Sequence, residues 1–370
     1  MNSPNSLRAE NINVIIPTNP IGHLKGEDIY ISKLLSPAFK EVTRINILEL
    51  PQKIKNCNPF NTVVWYGEVC DYDTETLVGK QDEKNARDAI ELANKIAIDR
   101  KILVLPSLSA KDPRKIGNKA DYSLWSEKQS DILRDKKNAE EAKEWRARNL
   151  IPPTASNIDD LTRIMRDRNW PNPKAYIVKP VDGESGIGFQ ILSHVEANNF
   201  LKSQAFGSYI IQPYIKLKSE VSIFILDGNP ILCQETARYK HDPKDPEACF
   251  KARWYTLSAR DPSEYEAGIA VDALHLHRPN KNERRGLFRA DFMRDEIGKY
   301  HFAEVDNMLT WALDAKGMII PYMRLSSVID TGEIQFPFSY MAKILPNRMA
   351  KIGIAIQKSI VHNMNEHAKS

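Results

Sequence analysis

Short apolar runs and longer amphipathic segments alternate along the first third of the chain. The repeat of Ala86, Ile90 and Ala93 at helical spacing predicts a helix over residues 84–99. Alternation of strands with helices favours a small parallel sheet covered by helices. The apolar runs that predict the strands are residues 13–17, 44–48, 62–65 and 101–105.

The pattern changes in the middle of the chain, where helical segments precede a series of strands. A polar helix is predicted over residues 121–149. It is expected to end there because Pro152 and Pro153 forbid its continuation. A second helix is predicted over residues 156–168, with Ser156 or Asn157 as its cap. An amphipathic helix is predicted near the C-terminus, over residues 341–367. Strands are predicted between these helices at residues 175–178, 189–193, 209–215, 220–226 and 230–234.

Residues 287–307 predict a hairpin of two strands that carries an unusual number of charged side chains. Side chains alternate between the faces of a strand, so Arg289 and Asp291 share one face, and Glu304 and Asp306 share one face too. If these two faces coincide, one cation and three carboxylates crowd together, which is costly unless a cation binds there. Mg²⁺ prefers oxygen ligands and commonly takes one or two carboxylates. The alternative is a solvated outer face of the hairpin.

A glycine-containing loop at residues 182–188 follows Lys179 at the end of an apolar strand. Glycines allow the backbone N–H groups of such a loop to approach phosphate oxygens. The loop is neither a Walker A loop nor a Rossmann fingerprint, because no Gly-Lys-Ser/Thr ends it and a strand, not a helix, follows. A plain hairpin turn is the alternative. An unpaired ammonium beside an apolar strand is costly, and a bound anion would stabilise Lys179.

Length and composition place bounds on the function. A chain of 370 residues is expected to form two or three subdomains. A formal net charge of +4 gives no case for nucleic-acid binding through bulk charge. Four cysteines without metal-ligand spacing predict reduced thiols in a cytoplasmic protein. The N-terminus lacks an apolar signal-peptide core, and no run of about 18 apolar residues predicts a membrane span.

These segments occur in an order that resembles the ATP-grasp superfamily of carboxylate–amine ligases, including enzymes like D-alanine–D-alanine ligase and glutathione synthetase. The resemblance covers residues 135–307. The motifs that carry it are Asp135 and Lys136 before Leu150, Ile151 and Pro152; Lys179 and Pro180; the loop at 182–188; Gln212, Pro213, Tyr214 and Ile215; Glu220; Arg289, Ala290 and Asp291; and Glu304, Val305, Asp306 and Asn307.

The resemblance implies an α/β ATP-grasp fold of three parts. An N-terminal parallel α/β domain would occupy residues 1–118, and a small central lid subdomain residues 119–211. A C-terminal antiparallel-sheet subdomain with the metal site would occupy residues 212–370. The nucleotide would bind between the last two parts.

The resemblance also implies roles for single residues. Lys136 and Lys179 would hold the α- and β-phosphates of ATP, and Glu220 would contact the ribose. Asp291 and Glu304 would hold two Mg²⁺ ions, for which Mn²⁺ can substitute, and Arg289 would stabilise the transferred phosphoryl group. The lid over the phosphates would comprise Gly183, Glu184, Ser185, Gly186, Ile187 and Gly188, and the adenine hinge Gln212, Pro213, Tyr214 and Ile215.

The chain departs from the family pattern at three places. Asp306 stands where the family has Asn, with Asn307 beside it, so either is a candidate metal ligand. The hinge has Gln212 where Glu is common. The residue that meets the γ-phosphate is not fixed by spacing. Lys240 is preferred for that role among the four candidates Arg238, Lys240, Lys251 and Arg253.

By the resemblance, the chain is expected to be an ADP-forming ligase that joins a carboxylate to an amine through an acyl phosphate. The carboxylate would be an amino acid or peptide, and the acceptor free or bound to a carrier protein. A homodimer is compatible with the family, whereas nucleic acid and membrane are not expected partners. Two alternatives stay open: a small-molecule kinase of the same superfamily, or a non-catalytic ATP-binding regulator.

Overall fold

A computed structural model describes most of the chain, and all structural statements below concern its described residues. These are residues 7–18, 32, 35–66, 77–106, 150–181, 189–205, 207–238, 254–278, 280–306 and 346–369.

The N-terminal part is a four-stranded parallel sheet with the strand order β2-β1-β3-β4. Ala86, Ile90, Ala93 and Ala97 pack against one face of this sheet, as the predicted apolar stripe requires. Each strand–helix unit therefore buries apolar surface that neither element could bury alone. The elements are β1 (Asn13–Thr18), β2 (Glu41–Asn46), α1 (Leu50–Lys55), β3 (Thr62–Trp65), α2 (Leu77–Arg100) and β4 (Leu103–Leu105).

The middle part is a three-stranded antiparallel sheet, order β6-β5-β7, covered by two helices. Asn157 caps the first helix, because its side chain accepts a hydrogen bond from the amide of Asp160. The elements are α3 (Ile158–Asp167), β5 (Tyr176–Pro180), β6 (Gln190–Leu192), α4 (His194–Ser203) and β7 (Tyr209–Pro213).

The C-terminal part is a five-stranded antiparallel sheet with the strand order β10-β9-β8-β11-β12. The helix that follows β10 packs on one face of this sheet through Ile269, Ala270, Ala273 and Leu274. The elements are β8 (Leu217–Leu226), β9 (Asn229–Arg238), β10 (Trp254–Arg260), α5 (Glu264–His277), β11 (Leu287–Asp295), β12 (Tyr300–Asp306) and α6 (Pro346–His367).

The parallel sheet and the five-stranded sheet share one hydrophobic core. Val14 and Trp65 of the first belong to the same buried cluster as Phe224 and Leu287 of the second. Ile356 of α6 lies in this cluster as well. The C-terminal helix therefore packs where the first and last parts of the chain meet.

The mixed α/β fold class is confirmed, since a parallel sheet is followed by two antiparallel ones. Two strands differ from their predicted bounds: β2 begins earlier, at Glu41, and ends at Asn46, after which residues 47–49 form a 3₁₀ helix, and β4 starts only at Leu103. The predicted helix over residues 121–149 and the loop at 182–188 lie outside the described residues. The domain boundaries at 118 and 211 stay a prediction.

Two further observations concern membrane spans and disulfide bonds. Within the described residues no helix is long and apolar enough to cross a membrane. Cys57 and Cys233, the two cysteines within the described residues, form no disulfide.

Candidate functional site

The predicted charged hairpin forms, and its register brings four predicted positions to one face. Asp291 of β11 lies directly opposite Glu304 of β12, and Arg289 lies opposite Asp306. Directly opposed residues of antiparallel strands point to the same side of the sheet. The face that carries Arg289 and Asp291 is therefore the face that carries Glu304, which was a condition of the magnesium hypothesis.

A β-bulge in β12 makes this arrangement possible. Asp291 pairs with Glu304, but the next residue, Phe292, pairs with Phe302, so Ala303 is the extra residue. Strict alternation would put Phe302 and Glu304 on the same face. The bulge instead lets Phe302 pack in the core beneath the sheet while Glu304 stays on the opposite face.

Asp291 is buried and contacts both Arg289 and Ser222. Nε of Arg289 donates to its Oδ1 at 3.0 Å and its Oδ2 at 2.9 Å, and Nη2 lies 2.6 Å from Oδ2. Ser222, the partner of Asp291 on β8, donates its hydroxyl to Oδ1 at 2.7 Å. Both charged side chains are only 4% exposed, so each compensates a charge that would otherwise be costly to bury.

Glu304 differs from Asp291 because it is exposed to solvent. The two residues thus offer one buried and one open carboxylate side by side, and such hard oxygen donors suit Mg²⁺. No group of three potential metal-ligating side chains is found within the described part of the chain. The side chain of Asp306 and all of Asn307 lie outside that part, so they remain predicted ligands.

The same face continues toward the hairpin turn with Glu220. Glu220 pairs with Met293 and stands two residues from Ser222 on β8, so it shares the face of Asp291. Its side chain is half-buried. The structure therefore places the predicted ribose contact beside the predicted metal ligands, one cross-strand row away.

Lys179 lies in β5, the central strand of the three-stranded sheet. It is half-buried, and its Nζ is 5.2 Å from the centre of the Phe189 ring. A cation over an aromatic face is attracted by the ring quadrupole. Phe189 is the first described residue after the predicted phosphate loop, so the lysine contacts the residue that follows the loop in the sequence.

The predicted adenine hinge is more fully hydrogen-bonded than expected. The side chain of Gln212 is buried and donates from Nε2 to Thr154 Oγ1 at 2.8 Å. The amide of Tyr214 donates to the carbonyl of Ala175 at 2.9 Å. Within the predicted hinge, the Tyr214 amide is therefore already used in a hydrogen bond to the protein backbone.

Several predicted site residues belong to segments that the structure does not describe. Lys136, the loop residues Gly183, Glu184, Ser185, Gly186, Ile187 and Gly188, and Lys240 with its alternatives Lys251 and Arg253 lie outside the described residues. Arg238 ends β9, and its backbone alone is described.

Sequence reasoning missed two residues on the site face. Ser222 alternates with Glu220 on the predicted strand, and that spacing could have identified it. His301 is buried next to the bulge, and its Nε2 is 2.8 Å from Oδ2 of Asp295. Burial lowers the pKa of His301, although the carboxylate of Asp295 opposes this shift.

Comparisons with solved structures find ATP-grasp ligases, the superfamily that the motifs resemble. The chain is similar to the ATP-grasp ligase PsnB complexed with a minimal precursor, at 12% identity and a TM-score of 0.48 over 81% of this chain and 91% of that one. It is also similar to the macrocyclase MdnC bound with the precursor peptide MdnA from Microcystis aeruginosa MRC, at 14% identity and a TM-score of 0.49 over 95% and 100%. A third similar structure is the D-cycloserine synthetase DcsG, at 12% identity and a TM-score of 0.48 over 95% and 99%. No protein-family model and no curated protein match the chain.

Proposed function

We propose that this protein is an ATP-dependent ligase that joins a carboxylate to an amine through an acyl phosphate. The observation that carries the proposal is the register of β11 and β12, which sets Arg289 and Asp291 against Glu304 on one face. One guanidinium and two oxygen donors on rigid strands are what phosphoryl transfer requires, since its catalysis is mainly positioning and charge neutralisation.

The proposed metal ligands are Asp291 and Glu304, with Asp306 or Asn307 completing the set. Two Mg²⁺ ions, or Mn²⁺ in their place, would neutralise the charge on the phosphates of ATP. Glu304 fits this role because its carboxylate is exposed on the same face as Asp291. Asp291 fits it as the rigid partner, because Ser222 and Arg289 fix its orientation.

Arg289 is the proposed stabiliser of the transferred phosphoryl group. Its guanidinium stays charged at all relevant pH values, and a planar fork of donors suits phosphate oxygens. The contact with Asp291 holds this cation on the site face. A metal ion bound to Asp291 would weaken the ion pair between Asp291 and Arg289. N–H groups of the Arg289 guanidinium could then donate to a phosphate.

The remaining nucleotide contacts are proposed from the motif order. Lys136 and Lys179 would bind phosphates, Glu220 would bind the ribose, and Lys240 would meet the γ-phosphate. The loop at 183–188 would act as a lid and residues 212–215 as the adenine hinge. The nucleotide would then bind between a middle lid unit, residues 119–211, and a C-terminal unit, residues 212–370.

Ligation needs an activated acid because the oxygen of a free carboxylate is a poor leaving group. Transfer of the γ-phosphoryl group onto the carboxylate gives an acyl phosphate and ADP. The amine then attacks the carbonyl carbon, an amide forms and phosphate leaves. Since acyl phosphates hydrolyse, a lid that excludes water is part of the proposal.

The test is a panel of amino acids, peptides and amines mixed with ATP and Mg²⁺, read by mass spectrometry for condensed product. A ligase releases both ADP and free phosphate, and hydroxylamine traps its intermediate as a hydroxamate. ADP release with phosphate retained on the product would identify a kinase instead. Nucleotide binding without ADP release under any pair would favour a regulator.

A further inference from the structure

Four side chains form a contact between the middle part of the chain and the tip of the metal-site hairpin. Trp170, in the loop between α3 and β5, packs edge-on to His301 of β12, with ring centres 5.6 Å apart. Lys299 places its Nζ 5.1 Å from the centre of the Trp170 ring. Asp295 holds the other side of His301 through the 2.8 Å contact with Nε2. We call these four residues the Trp170 junction.

The junction lies on the face that bears the proposed site. His301 pairs with Met293, which pairs in turn with Glu220, so all three positions share the face of Asp291 and Glu304. On the opposite face, Ile151 and Ile210 of the middle part belong to the buried cluster that contains Phe302. The middle part therefore contributes to the buried cluster on one face of the five-stranded sheet and to the Trp170 junction on the other.

This double support matters because β12 is an edge strand. It pairs with β11 alone in the five-stranded sheet, and its bulge at Ala303 separates His301 from Glu304. A bulge leaves one residue unpaired and disrupts the hydrogen-bond ladder locally, and an edge strand is held by one neighbouring strand only. A fixed side chain on one side of the bulge limits how far the residues on the other side can move.

We propose that Trp170 is a positioning residue that acts through His301 to hold Glu304 in register with Asp291. This inference rests on the proposed function, because only that function assigns Glu304 a metal ion to bind. It links the middle part of the chain to the geometry of the metal site through one aromatic contact. Trp170 touches neither substrate nor metal in this role.

Burial favours a neutral His301 ring in this contact, because it lowers the pKa of the imidazole. Lys299 and Arg168 act in the same direction, whereas the carboxylate of Asp295 at Nε2 opposes the shift. Nδ1 of His301 is buried and has no hydrogen-bond partner in the described part of the chain, so a proton there would be an unsatisfied donor. A neutral imidazole that donates from Nε2 to Asp295 is the state that packs against Trp170.

The test compares Trp170→Ala and Trp170→Phe with Phe200→Ala. The control removes an aromatic ring of the same part of the chain, which packs edge-on to Tyr209 of β7. Without nucleotide, hydrogen exchange of the β12 amides that pair with β11 should be about tenfold faster in W170A. In ADP release, the Mg²⁺ concentration for half-maximal rate should rise about tenfold, as for residues that orient a metal ligand.

W170F should restore both values, since it keeps an aromatic edge against His301. Unchanged exchange and unchanged Mg²⁺ dependence in W170A, or equal effects of F200A, would overturn the proposal. Trp170→Leu replaces W170A if that variant does not fold. Failure of the proposed function would appear separately, as wild-type protein without ADP release, while the exchange measurement still decides the positioning role.

Discussion

At the scale of single residues, the opposed carboxylates Asp291 and Glu304 differ in their surroundings. Asp291 is buried against Arg289, whereas Glu304 is exposed. From the sequence alone, loss of either charge is expected to leave the fold intact. The structure changes that expectation for Asp291, because removal of one partner from a buried pair leaves the other charge uncompensated.

Asp291→Asn should therefore lower the free energy of unfolding by about 3–5 kcal/mol, measured by urea denaturation. The double variant with Arg289→Met should be less destabilised than D291N alone, because no unpaired charge remains. If D291N is as stable as the wild type, the ion pair between Arg289 and Asp291 does not contribute to the free energy of unfolding.

Glu304→Gln should abolish ADP release while leaving the urea midpoint unchanged, because the exposed side chain loses a charge but no buried contact. Glu91→Gln on the exposed side of α2 is the matched control and should keep full activity. Normal turnover of E304Q in saturating Mg²⁺ would remove Glu304 from the metal site.

Alternation predicted which residues of β11 share a face, but it could not predict burial or the bulge. The step from Phe302 to Glu304 reverses the expected face, because packing of Phe302 and Val305 in the core outweighs regular pairing. A bulge follows from tertiary packing, which a periodic pattern of two does not contain. The same limit applies to His301, whose partner Trp170 is 131 residues away in sequence.

At the scale of elements, strands with clear apolar runs were predicted well, and helices without a clear stripe were missed. The strand β3 has the predicted bounds, and α3 differs by two residues at its start and one at its end. The helices α4 and α5 were missed, although each starts with a capping box, Ser193 with Glu196 and Ser263 with Glu266. The capping box is a four-residue motif that marks the start of a helix, and it could have predicted both helices from the sequence.

The two capping boxes should respond differently to loss of the serine. Ser263→Ala should destabilise the protein by about 1 kcal/mol in urea denaturation, because α5 packs on the five-stranded sheet through four buried residues. Ser193→Ala should mainly speed hydrogen exchange in α4, of which only Ala197 is buried. Equal shifts of the urea midpoint in S263A and S193A would contradict the expectation that α5 contributes more to global stability than α4.

At the scale of the whole molecule, His301 should make stability depend on pH. Burial lowers its pKa below the ordinary value of 6.5, so the unfolded chain binds a proton at a higher pH than the folded protein does. The contribution of neutral His301 to the free energy of unfolding is fully present above pH about 6.5, and it is lost as the pH falls through the pKa of the folded protein. His301→Gln should reduce the slope of unfolding free energy between pH 7.5 and 5.5, whereas an unchanged slope would contradict the buried neutral state.

The order of the three sheets was predictable because it follows from local patterns and from the order of the motifs. The way the sheets pack together was not, since the shared core of β1, β3, β8, β11 and α6 joins residues that are far apart in the sequence. The hairpin that carries the candidate site is intermediate: alternation predicted which residues of each strand share a face, whereas the common face, the ion pair and the supporting contacts could not be predicted.

The central claim is that carboxylates on β11 and β12 bind a magnesium–nucleotide complex. Isothermal titration calorimetry with a non-hydrolysable ATP analogue tests it most directly, with and without Mg²⁺, on the wild type and on Glu304→Gln. We predict saturable binding to the wild type that strengthens with Mg²⁺, and loss of this Mg²⁺ effect in the variant. No binding to the wild type, or the same Mg²⁺ effect in both proteins, would contradict the claim.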